Sequence, residues 1–204
     1  MNLRRFGWLV LAVLAFTAAS WGQQTSGAAP AAAPNKPAAQ ADTIASAIER
    51  EVSMYEKLVV DAAEAMPEAK WGFSPASLNI PGSAFSNVRT FAVLVRHTGA
   101  MNNLFWTGVT GEKVPDNYKS ANGPDELKTK AEIMKFLKDS FAAGHRAAKT
   151  LTPANAAEPM PFFNNTAPRL FLATFALVHS GDDYGQMVEY LRMNGIVPPA
   201  SAGR

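Results

Sequence analysis

Four stretches of this chain repeat apolar residues every three to four positions, and proline or glycine closes each within a few residues. That spacing is the period of an α-helix with one buried face, and it leaves little freedom in fold class. The first stretch carries Ile44, Ile48, Val52, Tyr55, Val59, Ala62 and Met66; Asp42 or Thr43 can cap it and Pro67 ends it. The second, roughly 84 to 108, sets Leu94, His97, Met101, Leu104 and Phe105 on one face. The third opens on Thr129 and Glu132, a capping-box pair, and continues through Phe136, Leu137, Phe141, Gly144, Ala148 and Leu151. The last runs from about Thr166, with Pro168 in its first turn, to Asn194; Gly195 then offers a left-handed cap, and Pro198 and Pro199 forbid continuation. No segment alternates with period two. The predicted fold is all-α, an up-and-down four-helix bundle over residues 42–200, and a hydrophobic content of 48% supplies its core.

The residues before this region do not belong to that core. Residues 1–22 combine a basic start, "MNLRR", an apolar run, "FGWLVLAVLAF", and small residues suited to cleavage, which is the layout of a signal peptide. The apolar run is shorter than the ~20 residues of a membrane span. The expectation is therefore an exported protein, periplasmic or extracellular, with membrane attachment only if the segment stays uncleaved. Residues 23–41, "QQTSGAAPAAAPNKPAAQA", hold almost no large apolar side chains and read as a disordered Ala/Pro-rich linker.

Charge and cysteine usage exclude several functions. Loss of Arg4 and Arg5 with the signal leaves 17 basic residues against 17 acidic ones, so nucleic acid is not an expected partner. The absence of cysteine removes disulfides, a lipid-attachment cysteine, a cysteine nucleophile and thiolate ligands together.

Chemistry concentrates in "HSGDDYGQMVEYLRMNGIVPP", residues 179–199. On a helix His179 and Asp183 share a face, and Gln186 and Tyr190 continue it. Leu172, Phe175 and Ala176 lie on the same side, so this polar row points inward, where a polar group is costly unless satisfied. His97 occupies a matching inward position on the second helix. Two imidazoles and one carboxylate suit a divalent metal with open coordination positions. The same spacing also suits an intrahelical His179–Asp183 hydrogen bond beside a satisfied core histidine. Gln186 and Tyr190 are candidate contacts to a cofactor or substrate, or ordinary buried hydrogen-bonding groups. Asp182 falls on the flank as a solvated carboxylate, and His145 reads as a surface residue. Gly181 and Gly185 each cost about 1 kcal/mol against alanine in a helix, so they mark close packing of a neighbour or room for a ligand. Trp71, Trp106, Phe162 and Phe163 either cover the core or line a pocket mouth.

The same residues carry a family resemblance. The run from His179 to Pro199 resembles the C-terminal helix of the DinB-like superfamily, whose members end in His-x-x-x-His-x-Gly-Gln followed by Tyr-Leu-Arg-x-Asn-Gly-x-x-Pro-Pro. "LVRHTGAMN" is similar to the family's first histidine site, and "GFSPA" and "TKAEIMKFL" fit the same template over residues 42–200. The resemblance implies a four-helix bundle holding a divalent metal (Zn, Ni, Fe or Mn) through three histidines. Here the ligands fall on His97, His179 and Asp183, with aspartate in the third histidine's place. It further implies a metal-activated thiol acting on an electrophile, as in the family's S-transferases and mycothiol-dependent isomerase, or a metal-assisted hydrolase. A non-catalytic bundle that binds a ligand or forms a homodimer is the contrasting expectation.

Overall fold

The computed structural model describes residues 42–203 apart from residues 117 and 119. The signal-peptide and linker readings fall on residues 1–41 and lie outside the described residues. Four helices form: α1 (Ile44–Ala65), α2 (Phe91–Thr110), α3 (Lys130–Ala148) and α4 (Arg169–Met193). No helix among the described residues is long and apolar enough to cross a membrane.

Local chemistry sets the helix ends. Thr43 caps α1 reciprocally with Ser46, whose hydroxyl accepts from the Thr43 amide at 2.8 Å. Thr129 and Glu132 form the expected capping box on α3. Gly111 closes α2 with φ of 78°, a conformation that favours glycine. The helix α2 starts at Phe91, later than its periodicity predicts. The Phe91 and Ala92 amides instead donate to the Phe73 and Trp71 carbonyls at 2.8 Å, so the preceding chain is tied down before the helix begins.

The all-α expectation needs one correction. Residues Pro159–Phe162 (β1) and Asn165–Pro168 (β2) pair as an antiparallel hairpin, so α4 begins at Arg169 and not at Thr166. The Arg169 and Leu170 amides, unpaired at a helix start, donate back to Glu158 and Ala156 at 2.8 and 2.9 Å. Two strands of four residues each, with three prolines among their eight positions, are too short to display period two.

The up-and-down expectation needs another. The principal helix contacts are α1 with α3 and α4, and α2 with α3 and α4. Along α2 and α3, Gly99 faces Phe136, Asn102 bonds Ser140 and Gly144 faces Trp106, so these consecutive helices run parallel. Between α2 and α4, Thr98 meets Asp183, Asn102 meets Ser180 and Gly108 meets Leu172, which is antiparallel. Glu49 and Glu56 reach His145 while Glu64 reaches Lys138, so α1 opposes α3. The helices therefore run up, down, down, up. The connector, residues 111–129, makes this possible because residues 121–127 lie back along α2. Arg96 secures that return, bonding the Asn122 carbonyl at 2.8 Å and Asp125 at 2.7 Å. Gly123, with φ of 73°, lies against it so closely that a Cβ would sit 2.7 Å from Arg96 Cγ.

The core between the helices is built from Phe91, Leu94, Trp106, Leu137, Phe141, Leu172, Met187 and Leu191. Glycines let the parallel pair close: a Cβ on Gly99 would lie 2.8 Å from Phe136, and one on Gly144 2.8 Å from Trp106.

Candidate metal centre

The antiparallel crossing of α2 and α4 brings the two inward histidines together. Their ring centroids are 5.0 Å apart. Asp183 Oδ1 lies 4.0 Å from His97 Nε2, and Asp183 Oδ2 lies 3.2 Å from His179 Nδ1. Among the described residues, His97, His179 and Asp183 form a group whose donor atoms all fall within 4.8 Å of one another and which could hold a metal ion. Two donors each about 2.1 Å from one ion can stand at most about 4.2 Å apart. His97 Nε2 and His179 Nδ1 each meet that limit with one oxygen of Asp183, and the whole set lies within 4.8 Å. Asp183 is 2% exposed and His97 6%, while the His179 side chain keeps 21% and forms the open side.

Neighbouring residues orient two of the three donors. His97 Nδ1 bonds the Ala121 carbonyl, so Nδ1 carries the proton and the Nε2 lone pair faces Asp183 and His179. Burial pushes the His97 pKa below its ordinary 6.5, and this outweighs the Ala121 bond and the Asp183 charge, which act in the other direction. His97 is thus neutral near pH 7, as a ligand must be. The Thr98 hydroxyl donates to Asp183 Oδ2 at 2.8 Å, which orients the carboxylate. One turn along, Ser180 donates to Asn102 at 3.0 Å and Asn102 to Ser140 at 3.3 Å, a buried polar chain linking three helices beneath the site.

Sequence reasoning did not single out Thr98, Asn102, Ser140, Ser180 or Ala121. Thr98 was within reach, since it stands one turn after Leu94 and three residues before Met101 on the same apolar stripe. Ala121 contributes only a backbone carbonyl, and no side-chain pattern marks it.

The other candidate residues lie elsewhere. Gln186 is exposed and bonds Asp182 at 3.0 Å on the helix surface. Tyr190 is buried but donates its hydroxyl to the Arg89 carbonyl at 2.9 Å, where burial lifts its pKa above 10.0. Neither is brought to the three donors. His145 is a half-buried clasp between helices, with Glu49 on Nδ1 and Glu56 on Nε2, each at 2.8 Å. Gly181 packs on Tyr55 of α1, while Gly185 faces open space. Trp71 and Trp106 are core residues.

The family model described as the DinB superfamily matches residues 47–187. No curated protein gives a significant match to the chain. The matched stretch runs from the first turn of α1 to just past Asp183 and takes in all three donors, and on that ground the chain belongs to the DinB superfamily.

Proposed function

We propose that this chain is an exported, divalent-metal-dependent enzyme of its superfamily, with His97, His179 and Asp183 as the ligands. The observation that carries the proposal is the convergence of two imidazoles and a carboxylate at a largely buried helix crossing, with His97 and Asp183 each oriented from behind by a dedicated bond. When bound, a divalent ion supplies the Lewis acidity that lowers the pKa of a thiol or a water. The chain's own groups do the rest. Ala121 fixes the His97 tautomer, Thr98 holds Asp183, and His179 takes the position nearest solvent, where a substrate enters. Phe105, its ring 5.7 Å from that of His179, packs beside that opening. The donor set, one oxygen and two nitrogens, suits zinc, nickel, iron or manganese. The reaction class is thiol transfer to an electrophile or hydrolysis, and export favours hydrolysis because low-molecular-weight thiol cofactors are mainly cytoplasmic.

Metal analysis of the purified protein, supplied in turn with each ion, tests the site. Stoichiometric metal that is lost in His179→Ala supports it; no bound metal in the parent protein, or metal unchanged in the variant, ends it. Fractionation of expressing cells tests export, and a paired screen of ester hydrolysis and thiol–electrophile coupling tests the chemistry. One observation favours a second reading, a non-catalytic extracytoplasmic ligand-binding or structural bundle with a degenerate metal site: the His179–Asp183 and Thr98–Asp183 contacts satisfy the carboxylate without any ion. A chain that takes up no metal and is silent in both screens supports that reading.

A further inference from the structure

A cavity of about 440 Å³ lies under the β1–β2 hairpin, walled by Phe105 and Gly108 of α2, Leu172 of α4, and Met160, Phe162 and Phe163 of the hairpin. Its size falls in the range of small-molecule sites. Its walls are mainly apolar, with Thr107 and Glu112 as the polar side chains. Phe105 meets Phe175 edge to face at 5.0 Å, and Phe162 meets Phe175 likewise at 5.3 Å, so the rings stand as a fixed aromatic frame. Glycine at 108 keeps the cavity floor low: a Cβ there would lie 2.6 Å from Leu172 Cδ2.

The hairpin tip is built against its own backbone preference. Two residues, Phe163 and Asn164, join the strands, and such a turn needs a positive φ that glycine or asparagine adopts most easily. Phe163 takes that position with φ of 51°, although it is bulky and 69% exposed. The ring packs on Phe162 at 4.7 Å and on Phe105 at 6.5 Å, yet most of it stays exposed at the cavity mouth. Strain of this kind gathers at ligand clamps. Glu112 supplies a carboxylate at the same rim, which disfavours an anionic ligand.

We infer that this cavity is a binding site for the neutral aromatic group of a small molecule, clamped by Phe163. Binding rests on the hairpin and the aromatic frame and stands apart from any ion at the three donors. Its position is not neutral, because Phe105 forms a cavity wall and also packs on His179. A ring lodged there lies one side chain away from the candidate centre.

The test is a fluorescence titration of the EDTA-treated full chain with the neutral probe N-phenyl-1-naphthylamine. Saturable 1:1 binding is expected, and the anionic probe 1-anilinonaphthalene-8-sulfonate should bind at least tenfold more weakly. Phe163→Asn should lose at least fivefold in affinity while its Tm stays equal or rises, because asparagine relieves the turn. Should that variant misfold, Val114→Trp, placed in the connector at the mouth, should fill the cavity and abolish binding. Unsaturable partitioning, or parent affinity in the correctly folded variant, overturns the inference. Metal content is measured separately on the same samples, so failure of the metal centre and failure of this site are distinguishable.

Discussion

Replacing Thr98 by valine keeps the side-chain shape and removes one hydroxyl. In the parent protein that hydroxyl reaches Asp183 Oδ2 at 2.8 Å and the Leu94 carbonyl at 3.0 Å, with a single proton to share. A hydrogen bond to a charged acceptor contributes about 1.5–3 kcal/mol. Asp183 is 2% exposed, so no bulk water replaces the lost donor. The shared proton argues for the lower end of that range, and the buried valine methyl returns up to about 0.8 kcal/mol. The net loss is therefore about 1–2 kcal/mol in the metal-free protein, or a Tm lower by roughly 2–8 °C for a domain of this size. A loosened carboxylate should also weaken metal binding by about tenfold, the usual effect of removing a group that orients a ligand. Thr98→Ser is the control: it loses a buried methyl, worth about 1 kcal/mol, but keeps the donor and should hold metal within about twofold of the parent. Urea unfolding after EDTA treatment and zinc competition against a chromophoric chelator measure the two effects. If valine is as stable as threonine, or serine loses metal as valine does, the hydroxyl does not hold Asp183.

Four further outcomes follow from the structure. Asp183→His should tighten zinc or nickel binding in competition titrations, and unchanged affinity would show that Asp183 is not a ligand. Arg96→Ala should release residues 120–127 and with them the Ala121 carbonyl, which hydrogen exchange would show as faster exchange there, together with weaker metal binding. The pKa of His145 is raised: burial alone lowers it, but its bonds to Glu56 and Glu49 outweigh that cost. Because the folded value lies above 6.5, the clasp stabilises fully below pH 6.5 and its contribution fades as pH rises through the folded value; the stability gap between the parent and His145→Ala, followed by urea unfolding, should shrink over that window. Gly144→Val would set a branched carbon within 2.8 Å of Trp106, and such overpacking costs about 1–3 kcal/mol, visible as a lower Tm without loss of bound metal.

What the sequence made legible was local. The capping pair Thr129–Glu132 and the stop at Gly195 rest on bonds spanning a few residues, and each stands where its spacing places it. The parallel run of α2 and α3 is a different kind of fact. Periodicity marks which face of a helix is buried but not the direction of its neighbour, and the stretch 111–129 is long enough to permit either. At the site, polar residues on an apolar stripe were enough to bring forward His97, His179 and Asp183. Gln186 shared their spacing, yet the buried stripe of α4 is centred on Ala176, Asp183, Met187 and Tyr190, and Gln186 falls off its edge. Tyr190 stays on the stripe but sits two turns beyond Asp183, about 10 Å along the axis, too far to share a centre.

The pairing of α2 with α4 also sets an order of events as the chain is made. Thr98 and Asp183 are 85 residues apart, and the α3 helix and the hairpin must be synthesised between them. Contacts of such separation close late, after local helices and the parallel α2–α3 pair have formed. A chain interrupted anywhere before α4 would expose His97 with no carboxylate to face it. If the proposed centre holds an ion, its uptake should therefore wait for α4, and metal content should rise with the fraction of chains that have finished folding.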